Sequence, residues 1–529
     1  MQRVVRQSMK RRIGAVIAVA AAAAMVLGGC STASSGSSAA GANGKPAKGG
    51  NLTIARSADI ISMDKTDTFD NNSLRVMEQI MEPLFMVSPD GKKLEPWLAT
   101  GYTISKDQLT YTINLRKGVK FSNGTPMTAA DVKFSIDQDS ASGAAGWGFI
   151  NAAIKQVTVV NTSTVQITVK HAWGPLIADL SLFSNGIIPD NYGGKTAAQF
   201  YNAPVGTGPF VWDYWKKGQS LKLTKNPHYW QTGKPYLNSV TWTVVPDSNT
   251  RKLQLQGNQI DIDDTPDWSS LASLKTTPNV NATTFPSTQL DYIAFNENRA
   301  PFNDVHVRAA ISYATDRNAM VKAVLFGNGT PANSMLSPGT PYYDKNAGGA
   351  TYNVAKAKAE MAQSSKPNGF TTTLLIQSGN PNQSSIAQIM QSELKAIGIT
   401  MNIQQLDPTA NKQARLVGNF DMSWNEWTMD IPDPDEWTSW AVDPTGGSNS
   451  AFTGYNNAKV IALNAQAAAE TDTTKRTSLY DQVQQQASKD AFLDYLFYSP
   501  YVFASTTSVH GFHVTPLGNY QLENVYKTK

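Results

Sequence analysis

Between Thr371 and Gln404 the chain reads as a strand (Thr371–Gln377), a helix over about Ser384–Ile397 that stops at Gly398, and a second strand (Ile399–Gln404). No other stretch restricts the fold as strongly, because a strand–helix–strand unit places its two strands parallel, joined by a right-handed crossover. Further elements surround it. Leu109, Tyr111, Ile113 and Leu115 alternate with polar residues and predict a strand. Val157–Val169 predicts a hairpin turning at Asn161–Ser163, and Asn123-Gly124 marks a turn. Thr128 and Asp131 have the spacing of a helix cap, ahead of Val132 and Ile136 on one helix face. Asn51–Ser57 and Ser239–Val245 read as strands, and Gly206–Phe210 is a sharp Gly/Pro break before a strand through Trp215. Beyond Asp304 helices dominate: Val307, Ala310, Ile311 and Ala314 fall at helical spacing, and Gly327 ends the following helix. A chain of 529 residues with these elements is a mixed α/β protein of at least two lobes. No fixed-period solenoid repeat is visible.

The N-terminus has a separate logic. Residues 1–12 carry Arg3, Arg6, Lys10, Arg11 and Arg12 without an acid, and the apolar run Ile13–Leu27 is 15 residues long. That is short of the ~20 needed to span a bilayer comfortably, and with its flanks it reads as an export signal. Cys30, the single cysteine, follows in Leu27-Gly28-Gly29-Cys30, a setting that resembles a bacterial lipobox. One cysteine excludes an internal disulfide and any zinc site needing two thiolates. Residues 31–50 are rich in Ser, Ala and Gly, the composition of a flexible tether. Five of the 45 basic residues and none of the 41 acidic ones lie in residues 1–29. The formal +4 of the whole chain thus becomes −1 for residues 30–529, which removes the electrostatic footprint of a nucleic-acid binder.

Five segments, in order, resemble the extracellular solute-binding proteins of peptide and nickel ABC importers, the oligopeptide- and dipeptide-binding type. They are Leu115–Ile136, the stretch from Gly206-Thr207-Gly208-Pro209-Phe210 to Asn226-Pro227-His228-Tyr229-Trp230, Pro301–Arg317, Asp421–Pro434, and Gly454-Tyr455-Asn456-Asn457 with the helical region around Tyr480. The resemblance implies a bilobal periplasmic-binding-protein-like fold with an extra domain inserted in the first lobe. The N-terminal features place a signal peptide at 1–29 and, by the lipobox resemblance, the lipidated Cys30 with its tether at 30–50. Lobe one would combine 51–90, 206–292 and 506–529, the inserted domain would be 91–205, and lobe two 293–505. Crossovers between lobes are expected near Thr284–Asn296 and Val502–Ser508. The implied protein is a monomer, lipid-anchored on the outer face of the cytoplasmic membrane. It closes on a solute and delivers it to a membrane permease driven by an ATPase. The resemblance implies no cofactor and no catalytic residues.

By the same resemblance, the aspartate of Trp427-Thr428-Met429-Asp430 pairs with a peptide's α-ammonium, a charge-assisted contact. Trp427 would cover a ligand side chain with rigid surface. Tyr292 and Asn296, near a crossover, are further expected ligand contacts. A turn cap beside Pro432 and Pro434 explains Asp430 equally simply. Dipeptide-binding members carry an arginine for the ligand carboxylate after an Asn-Pro-Asn. Here Asn380-Pro381-Asn382 is followed by Gln383, and no arginine occurs in 379–401. A longer peptide or an uncharged solute fits that departure. Trp424, Trp427, Trp437 and Trp440 crowd around Asp430, so stacking on an oligosaccharide stays open, as does core packing for Trp424 beside Phe420 and Met422.

Two other classes are weighed on motifs. Nickel binding would need clustered histidines, yet of His171, His228, His306, His510 and His513 only the last two are close, in a segment that reads as strand or loop. A secreted hydrolase would need a recognisable constellation. No Gly-x-Ser-x-Gly, His-Glu-x-x-His or partnered Ser-x-x-Lys appears, leaving only the four carboxylates of Asp430–Glu436. A membrane-tethered scaffold or sensor remains as a third class.

Overall fold

A computed structural model of the chain describes residues 46–143, 146–445 and 449–528. The export signal, Cys30 and most of the tether lie outside the described residues. The strand–helix–strand unit forms as its sequence predicts. Phe370–Gln377 and Ile399–Leu406 pair in parallel, with Phe370 opposite Ile399, across the helix Pro381–Leu394. That helix begins three residues earlier than its apolar spacing suggests. Asn380 caps it by accepting from the Gln383 N–H at 3.1 Å, and Pro381 occupies the first turn, where its missing N–H costs nothing. Ile386, Ala387, Met390 and Leu394 face the core, and Gly398 ends the unit at φ 79°.

Two sheets organise the two bodies. One has six strands, in the order 330–331, 493–498, 290–295, 422–427, 370–377 and 399–406. The other has seven, in the order 280–285, 501–506, 262–263, 51–56, 239–244, 220–225 and 210–216. In the latter, Asn51–Arg56 runs parallel to Ser239–Val244, and its Leu52 and Ile54 are fully buried against Trp242 and Tyr520. A smaller four-stranded antiparallel sheet (99–104, 110–115, 164–169, 154–161) has its own core. Tyr111, Ile113 and Leu115 are buried there, as their alternation requires, and the hairpin turns at 162–163. The Thr128 N–H donates to the Asp131 carboxylate at 2.7 Å, closing the cap of helix Ala129–Ala141.

The chain passes between the two large sheets at 286–289 and again at 499–500. The second crossover falls before Val502, earlier than its sequence suggested. Residues Tyr501–Thr506 pair antiparallel with Val280–Phe285, and this ladder draws them into the seven-stranded sheet. The crossovers are tied together, the Ser287 hydroxyl donating to the Ser499 carbonyl. The bodies also interlock: Ile431, from the loop after strand 422–427, packs in the core of the seven-stranded body. Val87 and Leu517 pack in return beside Met429 and Trp437. The bilobal molecule is therefore closed. Among the described residues no helix is long and apolar enough to cross a membrane.

Candidate ligand-binding site

Strand Met422–Trp427 ends at the body interface, and the turn Thr428–Pro434 follows it. Two proline residues prevent this turn from continuing the strand or joining a helix early. The turn carries Asp430 into the interface. Its shape is fixed by Glu436, whose Oε2 accepts from the N–H groups of Asp430 (2.9 Å) and Ile431 (3.0 Å). Glu436 stands in the first turn of helix Asp435–Val442.

From the opposite body, helix Asn71–Met77 ends at Glu78, which faces the same cavity as Asp430. Val87, Phe183, Leu517 and Asn519 contribute to the wall, and the Asn519 amide donates to Glu78 Oε1. No lysine or arginine lines this cavity. The enclosed volume is about 10 Å³, room for little more than one water, so the bodies must part before a solute reaches Asp430.

Three carboxyls thus crowd together with little solvent. Burial pushes Asp430 up to about 7, although its side chain keeps some surface toward the cavity and a hydrogen bond with Glu436 opposes the shift. Burial pushes Glu436 up as well, with the charge of Asp430 adding to it. Glu78 is pushed up to about 8 by burial, which outweighs the opposing Asn519 hydrogen bond and Arg75. Desolvation and like charge both favour the neutral acid, and an entering cation would oppose both by favouring the ionised form.

A second chamber of about 290 Å³ lies alongside. It is lined by Arg75 and Asp264 from the seven-stranded body and by Asn380, Asn382 and Trp424 from the six-stranded one. Asp291 and Tyr501, flanking the crossovers, also face it. Tyr501 lies within reach of the charges of both Arg75 and Asp430, which makes the two cavities neighbours.

The other expected contacts are placed differently. Trp427, Trp437 and Trp440 stack on one another, with centroids 4.6 to 5.4 Å apart and planes 24 to 29° apart. Trp437 is fully buried, and its indole N–H donates to the Met335 carbonyl at 2.8 Å. None of the three lines the chamber or the Asp430 cavity. Tyr292 is buried against Trp437 in the same core. Asn296 spends its amide on the Gly418 and Phe420 carbonyls and borders a separate cavity with Arg415. Trp427, Trp437, Tyr292 and Asn296 thus do not line either cavity, because the core and the chain turns claim them first. Trp424, on the opposite face of the strand, lines the chamber, and its indole N–H has no hydrogen-bond partner. Glu78, Arg75, Asn519 and Tyr501 escape sequence reasoning because they are far from Asp430 in the chain and carry no motif. His510 contacts Thr528 and His513 the Pro89 carbonyl. Among the described residues no group of three or more His, Cys, Asp or Glu side chains could hold a metal.

Two sheets joined by two crossovers, closed over a polar interface, define a bilobal solute-binding protein. The family model of bacterial extracellular solute-binding proteins, family 5, matches residues 93–449, and the chain belongs to that family. It is 31% identical over 488 residues to a probable D,D-dipeptide-binding periplasmic protein of Escherichia coli K12, covering 90% of this chain and 93% of that one. Similarity to a glutathione-binding protein of Escherichia coli O6:K15:H31 is 29% identity, over 90% and 94% of the two chains. The solved structure of an ABC transporter-associated periplasmic binding protein from Helicobacter pylori, in complex with the peptide STSA, superposes with a TM-score of 0.81. It shares 27% identity and covers 91% of this chain and 99% of that one.

Proposed function

We propose that this protein is the substrate-binding lipoprotein of an ABC importer, capturing a peptide between its closing lobes and delivering it to a membrane permease and its ATPase. The observation that carries this reading is the meeting of Asp430 with Glu78 across the body interface, in a cavity lined by no cation, with Glu436 fixing the turn behind Asp430. An α-ammonium placed there restores ionisation to buried carboxyls and touches both bodies at once. Contact with both matters, since a ligand drives closure only by its extra affinity for the closed state. A relative described as a probable D,D-dipeptide-binding protein, another described as glutathione-binding, and a solved structure in complex with the peptide STSA support the peptide class.

In this reading lobe one holds the seven-stranded sheet, with the four-stranded unit (about 91–205) inserted in it, and lobe two the six-stranded sheet. Cys30 carries the lipid that tethers a monomer outside the membrane. Trp424 borders the ligand, and Trp427 shapes the turn that presents Asp430. The oligosaccharide alternative loses its support, because the tryptophan stack packs on itself rather than offering a ring face to a cavity. Native mass spectrometry of the purified protein tests the proposal: co-purified peptides are expected, and recovery of oligosaccharides without peptide would overturn it. Asp430→Asn should weaken peptides with a free α-amino group by roughly 2–5 kcal/mol, and an unchanged affinity would remove Asp430 from the site.

A further inference from the structure

We propose that Arg75 reads the C-terminal carboxylate of the bound peptide, so that both termini are held and the site selects peptides of two or three residues. This rests on the peptide reading above and adds the ligand's other end and its length. Arg75 is the one basic side chain among those lining the 290 Å³ chamber. Its guanidinium is held in place rather than neutralised. It lies over the rings of Phe503 and Tyr520 at 5.4 and 5.5 Å, and its Nε donates to the Gly518 carbonyl at 3.2 Å. The nearest acid, Asp264, stands 3.8 Å away, beyond hydrogen-bond reach. Asp264 is also 3.8 Å from Arg56, a fully buried arginine whose Nε and Nη2 have no partner. Two arginines therefore share one carboxylate, and neither closes a hydrogen bond to it.

The opposite wall complements a carboxylate. Asn380 and Asn382 line it, and the unpartnered indole N–H of Trp424 belongs to it. Asp291 and Glu426 also face the chamber, but Asp291 accepts from the Ser499 hydroxyl at 2.8 Å, both accept from the Gln289 amide at 3.2 Å, and burial favours the neutral form of each. The spacing sets the length. Arg75 and Glu78 are three residues apart at one helix end, so their Cβ atoms are about 5–6 Å apart on one face. Gly518 and Asn519 hold the two side chains from the same turn. Two extended residues span about 7 Å and three about 10 Å, enough to run from an ammonium beside Glu78 and Asp430 to a carboxylate at Arg75.

The test uses the full mature chain with two mixed libraries of di- and tripeptides, one with free carboxylates and one with C-terminal amides, scored by native mass spectrometry and by titration of retained members. The wild type should prefer each free acid over its amide at least tenfold, while Arg75→Met should bind the two within about twofold. Arg75→Lys, which keeps the charge, should retain part of the preference, and thermal melts identify any variant that fails to fold. Equal wild-type binding of acids and amides overturns the proposal on its own, without involving a variant. A preference that survives intact in Arg75→Met assigns the carboxylate to another group and overturns it too. Retention of neither library sinks the peptide reading and this inference together, whereas retained amides sink only the role of Arg75.

Discussion

Asp430 and Glu436 are bound to each other through the chain: the Asp430 N–H donates to Glu436 Oε2 at 2.9 Å, and their carboxyls crowd one buried site. The acid that fixes the turn also burdens the carboxyl the turn presents. A site built this way is destabilised when empty and relieved by a cation, the arrangement a receptor needs if ligand is to drive closure.

The pH dependence of stability follows with a definite sign. Asp430 and Glu78 carry folded-state values of about 7 and about 8, above the unfolded 3.8 and 4.5. The folded protein then binds more protons than the unfolded chain between about pH 4 and 8, so these groups stabilise at low pH and that contribution fades as pH rises. Each contributes a slope of up to about 1.4 kcal/mol per pH unit. Urea unfolding of the unliganded protein at pH 5 and pH 8 should show Asp430→Asn flattening the loss seen in wild type. Identical pH profiles for the two proteins would contradict the buried, proton-holding Asp430.

Arg476 and Asp433 form a buried bidentate pair, with Nη1–Oδ2 at 2.5 Å and Nη2–Oδ1 at 2.9 Å. Removing one partner leaves a buried charge alone. Arg476→Met should therefore cost about 3–5 kcal/mol in chemical denaturation, and the double replacement with Asp433→Leu should recover much of it.

The tryptophan stack should behave as core. Trp437→Ala is expected to cost about 3–5 kcal/mol and to reduce the near-ultraviolet circular dichroism of the coupled rings. Trp437→Phe should leave peptide affinity within about twofold by calorimetry, because the residue lines neither cavity.

Gly206 and Gly208 pack against backbone. A Cβ at Gly206 would stand 1.9 Å from the Ile80 carbonyl oxygen, and one at Gly208 2.5 Å from that of Gln79. Both obstacles are main chain and cannot rotate away. Either alanine substitution should lower stability by on the order of 3 kcal/mol, read as a shift in melting temperature, and Gly206→Ala should be the worse.

Cys30→Ser should move the protein from the membrane fraction to the soluble one. Continued membrane association of that variant would remove the lipid anchor from the proposed function.

Much of the architecture was legible because it rests on local periodicity and caps. The alternation through Tyr111, Ile113 and Leu115, the Thr128–Asp131 cap and the 371–404 unit each depend on neighbours a few residues away. Asp430 could be singled out because the Trp427-Thr428-Met429-Asp430 segment resembles the family's own. The crossover after Tyr498 was misplaced, because strand pairing with residues more than 200 positions earlier claims Tyr501–Thr506.

The sequence by itself determined the α/β class, the near-neutral charge of residues 30–529, the family, and the segment that holds the candidate aspartate. Only the tertiary structure decided which tryptophans are core and which one borders a chamber. It also brought Glu78 and Arg75 to the interface beside Asp430. The physical reason is that periodicity and capping are encoded within one or two turns of chain. A binding cleft instead is made by surfaces from distant segments, where burial, charge and hydrogen bonding depend on what the fold sets opposite each side chain.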